Sequence, residues 1–178
     1  MRAEAKAVII VPLVILLIMA GFIAFGYVLV SALNIPLRLG FLLPVRMFGV
    51  FLTAAWSMFI GWVFRFRRPK DVLVSMYITF SRVRSRVKLL DRKEPLIIQG
   101  PYRYVRHPLY FGVVLLAFGC WLLLDYSFLA VWAVLLLLWF NFVIASFEEA
   151  ELKAIFGEQY KHYSNKVPKM IPFKIRKK

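Results

Sequence analysis

One of the two histidines in this chain, His107, stands in the run Arg106-His107-Pro108-Leu109-Tyr110, immediately ahead of a long apolar stretch. Two adjacent acids, Glu148 and Glu149, close the next apolar stretch. Proline suits the first turn of a helix, where its missing N–H costs nothing, so His107 is expected at or beside the N-cap of a helix beginning at Pro108. Free N–H donors and partial positive charge at a helix start, with Arg106 adjacent, make a site for an anion such as a ligand carboxylate. Glu148 and Glu149 lie at the opposite kind of helix end. There the helix dipole disfavours negative charge by some tenths of a kcal/mol. An acid pair placed against that field suits a cationic or polyhydroxyl ligand. Structural readings stand beside both: the arginines anchor headgroups and His107 caps its helix, while the glutamates pair with nearby lysines or arginines.

The elements that carry these clusters follow from hydropathy. The 178 residues are 62% hydrophobic, with a mean hydropathy of +0.73, too apolar for a soluble domain of this size to cover its core. An all-α, multi-pass transmembrane fold is expected, a single domain over residues 1–178. About four spans are expected, near residues 7–33, 47–64, 109–124 and 126–147. The first stretch carries no charge and exceeds what a hydrocarbon core of about 30 Å requires, so it is expected to span with a tilt. Met1–Lys6 resembles the start of a signal peptide, but the apolar run outlasts a signal h-region, and an uncleaved span is expected. Asp125 is the one charged residue between the last two spans, which predicts a tight C-terminal helical hairpin.

Charge sets the orientation. The chain has 24 Lys and Arg against 9 Asp and Glu, a net charge of +15, and the cations flank the apolar runs. Anionic lipid headgroups and the positive-inside rule explain them better than nucleic acid, for which no fold signature is present. The basic loop 65–106 and the tail 148–178 are therefore expected in the cytosol with both termini, of a prokaryotic cell membrane or an endoplasmic reticulum. Within the loop, Phe80, Val83, Val87 and Leu90 recur at helical spacing with Arg82, Arg84, Arg86 and Lys88 on other faces. This suggests an amphipathic helix on the inner leaflet; charge that merely sets topology is the alternative. Cys120 lies in an apolar run, where a small buried hydrophobe is the simplest reading; a lone cysteine forms neither an internal disulfide nor a metal cluster, and no metal is expected.

The hairpin joins the polar clusters. A third helix running outward from Pro108 and a fourth returning to Glu148 bring both to the cytosolic face. A zwitterionic ligand of the amino-acid-plus-nucleoside type could then set its carboxylate at the His107 end and its amine or ribose hydroxyls at Glu148.

Three motifs in order, Gly100-Pro-Tyr-Arg-Tyr-Val-Arg-His-Pro-Leu-Tyr-Phe-Gly112, Glu148-Glu149, and Phe156-Gly-x-x-Tyr-x-x-Tyr163 followed by Val167-Pro-x-x-Ile-Pro172, resemble the isoprenylcysteine carboxyl methyltransferase and phospholipid methyltransferase superfamily of membrane enzymes. The resemblance covers roughly Leu96 to Phe173; the first two spans share only hydropathy. It implies S-adenosylmethionine as methyl donor. Leu96, Ile97, Tyr102, His107, Pro108, Leu109, Tyr110 and Glu148 would line its pocket, with Glu149, Gly112 and Tyr163 in the same neighbourhood. Aromatic rings would pack the adenine, and electron-rich surroundings favour a sulfonium. No Gly-x-Gly-x-x-Gly fingerprint occurs, so the architecture is not the Rossmann-like one of many soluble methyltransferases.

Methyl transfer is an in-line displacement on an activated carbon, so the protein mainly aligns the partners and excludes water. A lipid or other lipophilic acceptor could enter sideways from the membrane. Glu149 and Arg106 are the candidate catalytic residues: Glu149 as acceptor of a proton released by an amine, Arg106 as a cation for an acceptor carboxylate. The carboxyl methyltransferases carry an arginine four residues before the first glutamate. That position here is Ile144, which argues for an amine or thiol acceptor over a prenylated cysteine carboxylate. Two other classes remain in view: an NADPH-dependent membrane sterol-type reductase, and a non-catalytic protein binding anionic lipid through its basic loop. Cofactor binding separates the three.

Overall fold

The computed structural model describes residues 3–84 and 95–172. Among the described residues are six α-helices: α1 (Ala3–Ala32), α2 (Leu43–Phe66), α3 (Pro69–Arg84), α4 (Pro108–Leu124), α5 (Ser127–Leu138) and α6 (Ala145–Lys166). A short 3-10 turn, Gly100–Arg103, precedes α4, and a π-helical turn, Trp139–Ile144, joins α5 to α6.

Among the described residues, three helical stretches are long and apolar enough to cross a membrane: Ala7–Ala32, Leu43–Phe66, and the continuous run Ser127–Lys166. The outward faces of α1 and α2 are apolar, with Leu16, Leu17, Val28, Phe51 and Met58 exposed. Such surface is stable against lipid and unfavourable against water. Helix α4 has 17 residues, about 25 Å at 1.5 Å per residue and the lower bound for a span. Two differences from the expected spans have physical causes. Helix α2 extends beyond residues 47–64 at both ends, since Pro44 suits a first turn and the chain stays helical to Phe66. The last helix does not stop at Phe147 but continues through the polar segment to Lys166, broken only at Gly157, whose φ is 50°.

Close packing of α2 on α4 depends on glycine. A Cβ on Gly49 would strike the backbone at Leu123, and one on Gly119 would meet Thr53. Small residues let apolar helices approach closely where lipid gives no hydrophobic drive for their association. The buried core combines Val114 and Ala117 of α4, Ala133 and Leu136 of α5, and Phe140, with Met170 of the tail.

The α4–α5 turn forms the end of the hairpin opposite Glu148. Asp125 adopts a left-handed conformation (φ 65°), and its Oδ2 accepts hydrogen bonds from the backbone N–H groups of Gly40 and Phe41, each at 3.1 Å. Arg38 donates to the Tyr126 hydroxyl at 2.8 Å and stacks over its ring. Loop 33–42 and the α4–α5 turn thus sit at one end of the bundle, which leaves the other end for the polar clusters. The amphipathic face expected of Phe80, Val83, Val87 and Leu90 rests on side chains outside the described residues.

Candidate functional site

His107 is the N-cap residue of α4, with Pro108 in the first turn. Its ring makes no cap bond; it turns toward α6 instead. Nδ1 lies 3.3 Å from Glu148 Oε2, and Nε2 lies 3.4 Å from Glu149 Oε1. Arg106 Nη2 reaches the same Glu149 oxygen at 2.9 Å, and the Tyr110 hydroxyl donates to Glu148 Oε2 at 3.0 Å. One imidazole therefore bridges two carboxylates, flanked by a guanidinium and a phenol. The His107, Tyr110 and Phe140 rings form a continuous stack, with centroid separations of 5.5 and 4.9 Å.

The local sequence explains the placement. Gly100 takes φ 57° and lies against the Phe66 ring, where any Cβ would collide. The 3-10 turn beyond it aims Tyr102 inward. The tail clasps the next stretch: the N–H groups of Arg106 and His107 donate to the carbonyls of Pro168 and Lys169 at 2.9 and 3.1 Å, while Met170 is 1% exposed. Lys169 Nζ donates to the Asn141 carbonyl and, at 2.9 Å, to Ser146 Oγ. It thus satisfies a carbonyl on the π turn, whose extra residue alters the register at which Glu148 and Glu149 emerge from α6. The Tyr163 hydroxyl closes the other side through the Tyr102 carbonyl at 2.7 Å.

A cleft of two lobes opens at this centre. The first has about 510 Å³ of empty space, partly open to solvent, and is lined by Leu96, Ile97, Leu152, Phe156, Tyr160 and Tyr163. The second, about 360 Å³, is lined by Val72, Met76, Pro108, Leu109 and Tyr110. Arg67, Tyr102, Arg106, His107 and Glu148 line both and form the waist between them. All eight residues expected to hold a cofactor therefore border one or both of these lobes. Among the other expected residues, Tyr163 lines the first lobe. Glu149 lines neither lobe and lies behind His107 and Arg106. Gly112 faces Phe59 and Ile60 of α2 in the helix packing. Ile144 packs against the core and borders neither lobe.

His107 and Glu148 touch, so they do not form two separated ends for a ligand as the sequence suggested. The cation that can face an anionic ligand across the cleft is instead Arg67, just past α2, whose charge also acts on Tyr102 and Glu148. Sequence reading missed it because Arg65, Arg67, Arg68 and Lys70 form one topological cluster, and nothing local separates the third-dimension neighbour from the rest. Leu152, Phe156 and Tyr160 also line the first lobe and were missed as lining residues.

The electrostatics favour charge at the waist. Burial by itself lowers the pKa of His107, but hydrogen bonds and charge from Glu148 and Glu149 outweigh it, and the net shift is upward. Burial raises the Tyr102 hydroxyl above its usual value against the opposing effect of Arg67. Burial, with Arg106 nearby, lowers Lys169 despite the pull of Glu149. Two donors have no partner among the described residues: the hydroxyl of fully buried Tyr160, which borders the first lobe, and Nε of Arg106, which borders both. Leaving such a group unsatisfied costs about 1–3 kcal/mol, so both mark where a polar ligand or water would bind.

Comparison with known proteins bears on this arrangement. The phospholipid methyltransferase family model matches residues 74–159, a segment that spans α4, the π turn and both glutamates. That segment is similar to the phospholipid methyltransferase family. A protein-S-isoprenylcysteine O-methyltransferase of Schizosaccharomyces pombe is 42% identical over 79 residues, which is 43% of this chain and 33% of the relative. A second of that name from Arabidopsis thaliana is 32% identical over 84 residues, 47% of this chain and 42% of the relative. A methanethiol S-methyltransferase of Crocosphaera subtropica is 34% identical over 127 residues, 66% of this chain and 46% of the relative. The chain thus matches less than half the length of each of these relatives. No solved structure matches significantly. Three helical stretches long and apolar enough to cross a membrane accompany the family match among the described residues.

Proposed function

We propose that this chain is an integral membrane methyltransferase that uses S-adenosylmethionine and acts on a thiol or amine carried by a lipophilic acceptor. The observation that carries the reading is the two-lobed cleft centred on the His107–Glu148 contact, within the segment similar to the phospholipid methyltransferase family. S-adenosylmethionine supplies a methyl group on positively charged sulfur. The chain offers matching features: a carboxylate at Glu148 and the faces of stacked rings for a sulfonium, and aromatic and aliphatic walls at Phe156, Leu96 and Ile97 for an adenine. Unpartnered donors at Arg106 Nε and Tyr160 suit a carboxylate or hydroxyls.

Arg106 and His107 hold Glu149, so Glu149 acts here by positioning the imidazole and guanidinium, while Glu148 faces the cleft. The preference for an uncharged acceptor no longer rests on Ile144. It rests on the waist, where Arg106 already faces the Glu149 carboxylate, and on the thiol-methylating relative that aligns over 66% of the chain. Both termini and the basic loop 65–106 lie in the cytosol, with four crossings in one domain over residues 1–178 and α4 the shortest. The cleft then opens at the cytosolic boundary, where a water-soluble donor meets a membrane-dissolved acceptor. Transfer of radiolabelled methyl to an alkanethiol and to a prenylated cysteine, compared in one bilayer preparation, tests the acceptor. Faster labelling of the thiol is expected; faster labelling of the prenylcysteine carboxylate overturns it.

A further inference from the structure

The π turn deprives one carbonyl of its usual donor. Ala145 N–H donates to the Phe140 carbonyl, five residues back, whereas a regular α-helix would send it to Asn141. The Asn141 carbonyl instead receives the Lys169 ammonium and, at 3.4 Å, the Ser146 hydroxyl. Lys169 Nζ also donates to Ser146 Oγ at 2.9 Å, so ammonium, carbonyl and hydroxyl close a triangle over the turn. One residue added to a helix rotates everything beyond it by about 100°, from 3.6 residues per turn. Glu148 and Glu149 stand just beyond the turn, so this rotation decides whether their carboxylates face His107 or point away from it.

The same lysine holds the other partner. Its carbonyl accepts from the His107 N–H at 3.1 Å, beside the bond from Arg106 N–H to Pro168, and buried Met170 anchors the tail. Lys169 thus ties the start of α4 through its backbone and the approach to α6 through its side chain. The imidazole and carboxylates that meet at 3.3 and 3.4 Å belong to these two segments. We infer that Lys169 is a positioning residue: its ammonium holds the π turn, and with it the rotation of α6 that aims Glu148 and Glu149 at His107. It borders neither lobe of the cleft and acts through the residues it orders. Its bearing on turnover rests on the methyltransferase reading; its bearing on the geometry does not.

The imidazole reports the rotation. Glu148 and Glu149 face His107 from α6, Arg106 and Tyr110 adjoin it at the start of α4, and Arg67 lines the same waist. The two carboxylates hold its titration above the ordinary value against burial. Full-length, histidine-labelled protein in detergent, with His162→Gln leaving one imidazole, is titrated by NMR. Lys169→Met removes the donors and keeps most of the stem. Turning the carboxylates away should lower the His107 titration by about one pH unit or more. Loss of a neighbouring cation alone would move it upward, so the sign separates positioning from plain electrostatics. An unchanged or higher titration in folded Lys169→Met overturns the inference. Lys169→Arg, which keeps charge and donors, should hold the wild-type value. Met170→Ala loosens the same tail but leaves the ammonium; it should lower the melting temperature and keep the titration in place. An equal fall in Met170→Ala assigns the effect to the tail as a whole and overturns the role of the ammonium. Where Lys169→Met fails to fold, Lys169→Gln serves, polar but one bond too short to reach Asn141, and the same fall is expected. The underlying reading fails separately. Wild-type protein that binds no S-adenosylmethionine, with the fall still present in Lys169→Met, removes the methyl-transfer reading and leaves the positioning role standing.

Discussion

His107 Nδ1 and Glu148 Oε2 lie 3.3 Å apart, joining the start of α4 to the start of α6. This contact makes the imidazole a bridge between two helices of the hairpin. It also gives the site a dependence on pH.

His107 is raised in the folded protein because Glu148 and Glu149 outweigh the effect of burial. A raised folded pKa means that the stabilisation is complete below the unfolded value of about 6.5 and is lost as pH rises through the folded value. The melting temperature of ligand-free protein should therefore fall across the range above about pH 6.5. His107→Gln should remove that component of the slope. Equal slopes for wild type and variant would show that the bridge contributes no pH dependence.

Tyr160 offers a sharper separation of ligand binding from folding. Its hydroxyl is buried and unpartnered, so Tyr160→Phe removes a desolvated donor that the ligand-free fold does not use. Stability should be unchanged or slightly higher. Donor affinity should drop by about 0.5–1.5 kcal/mol, roughly two- to tenfold. Reduced stability with unchanged affinity contradicts a ligand contact at this hydroxyl.

Much of the bundle was legible in the sequence because lipid demands long uncharged helices, and the runs beginning near Ala7, Met47, Leu109 and Tyr126 carry that demand openly. That His107 and the glutamates share one end of the hairpin was legible too, since a turn at Asp125 leaves its far ends together; their direct contact was not. What stayed hidden depends on contacts between distant segments. The π turn at Trp139–Ile144 is held by Lys169, returning from the tail to the Asn141 carbonyl, and no local pattern of apolar residues announces it. The same turn helps decide that Ile144 packs inward, which removes it from the cleft. Arg67 differs from Arg65 and Arg68 only in what α4 and α6 bring beside it.

Topology is testable independently of chemistry. In a Cys120→Ala background, a cysteine at Leu39 should react with a membrane-impermeant thiol reagent added outside, and one at Ser85 should be protected until the membrane is opened. Outside labelling at Ser85 would reverse the orientation drawn from the basic loop.

The most direct measurement is calorimetric titration of S-adenosylmethionine into detergent-purified protein, wild type beside Glu148→Ala and Arg67→Met. Wild type should bind. Each variant should lose one charge-assisted partner, about 1.5–3 kcal/mol or ten- to a hundredfold in affinity, while its melting profile shows it folded. No binding by wild type, or wild-type affinity in both folded variants, would contradict a donor site built on the His107–Glu148 waist.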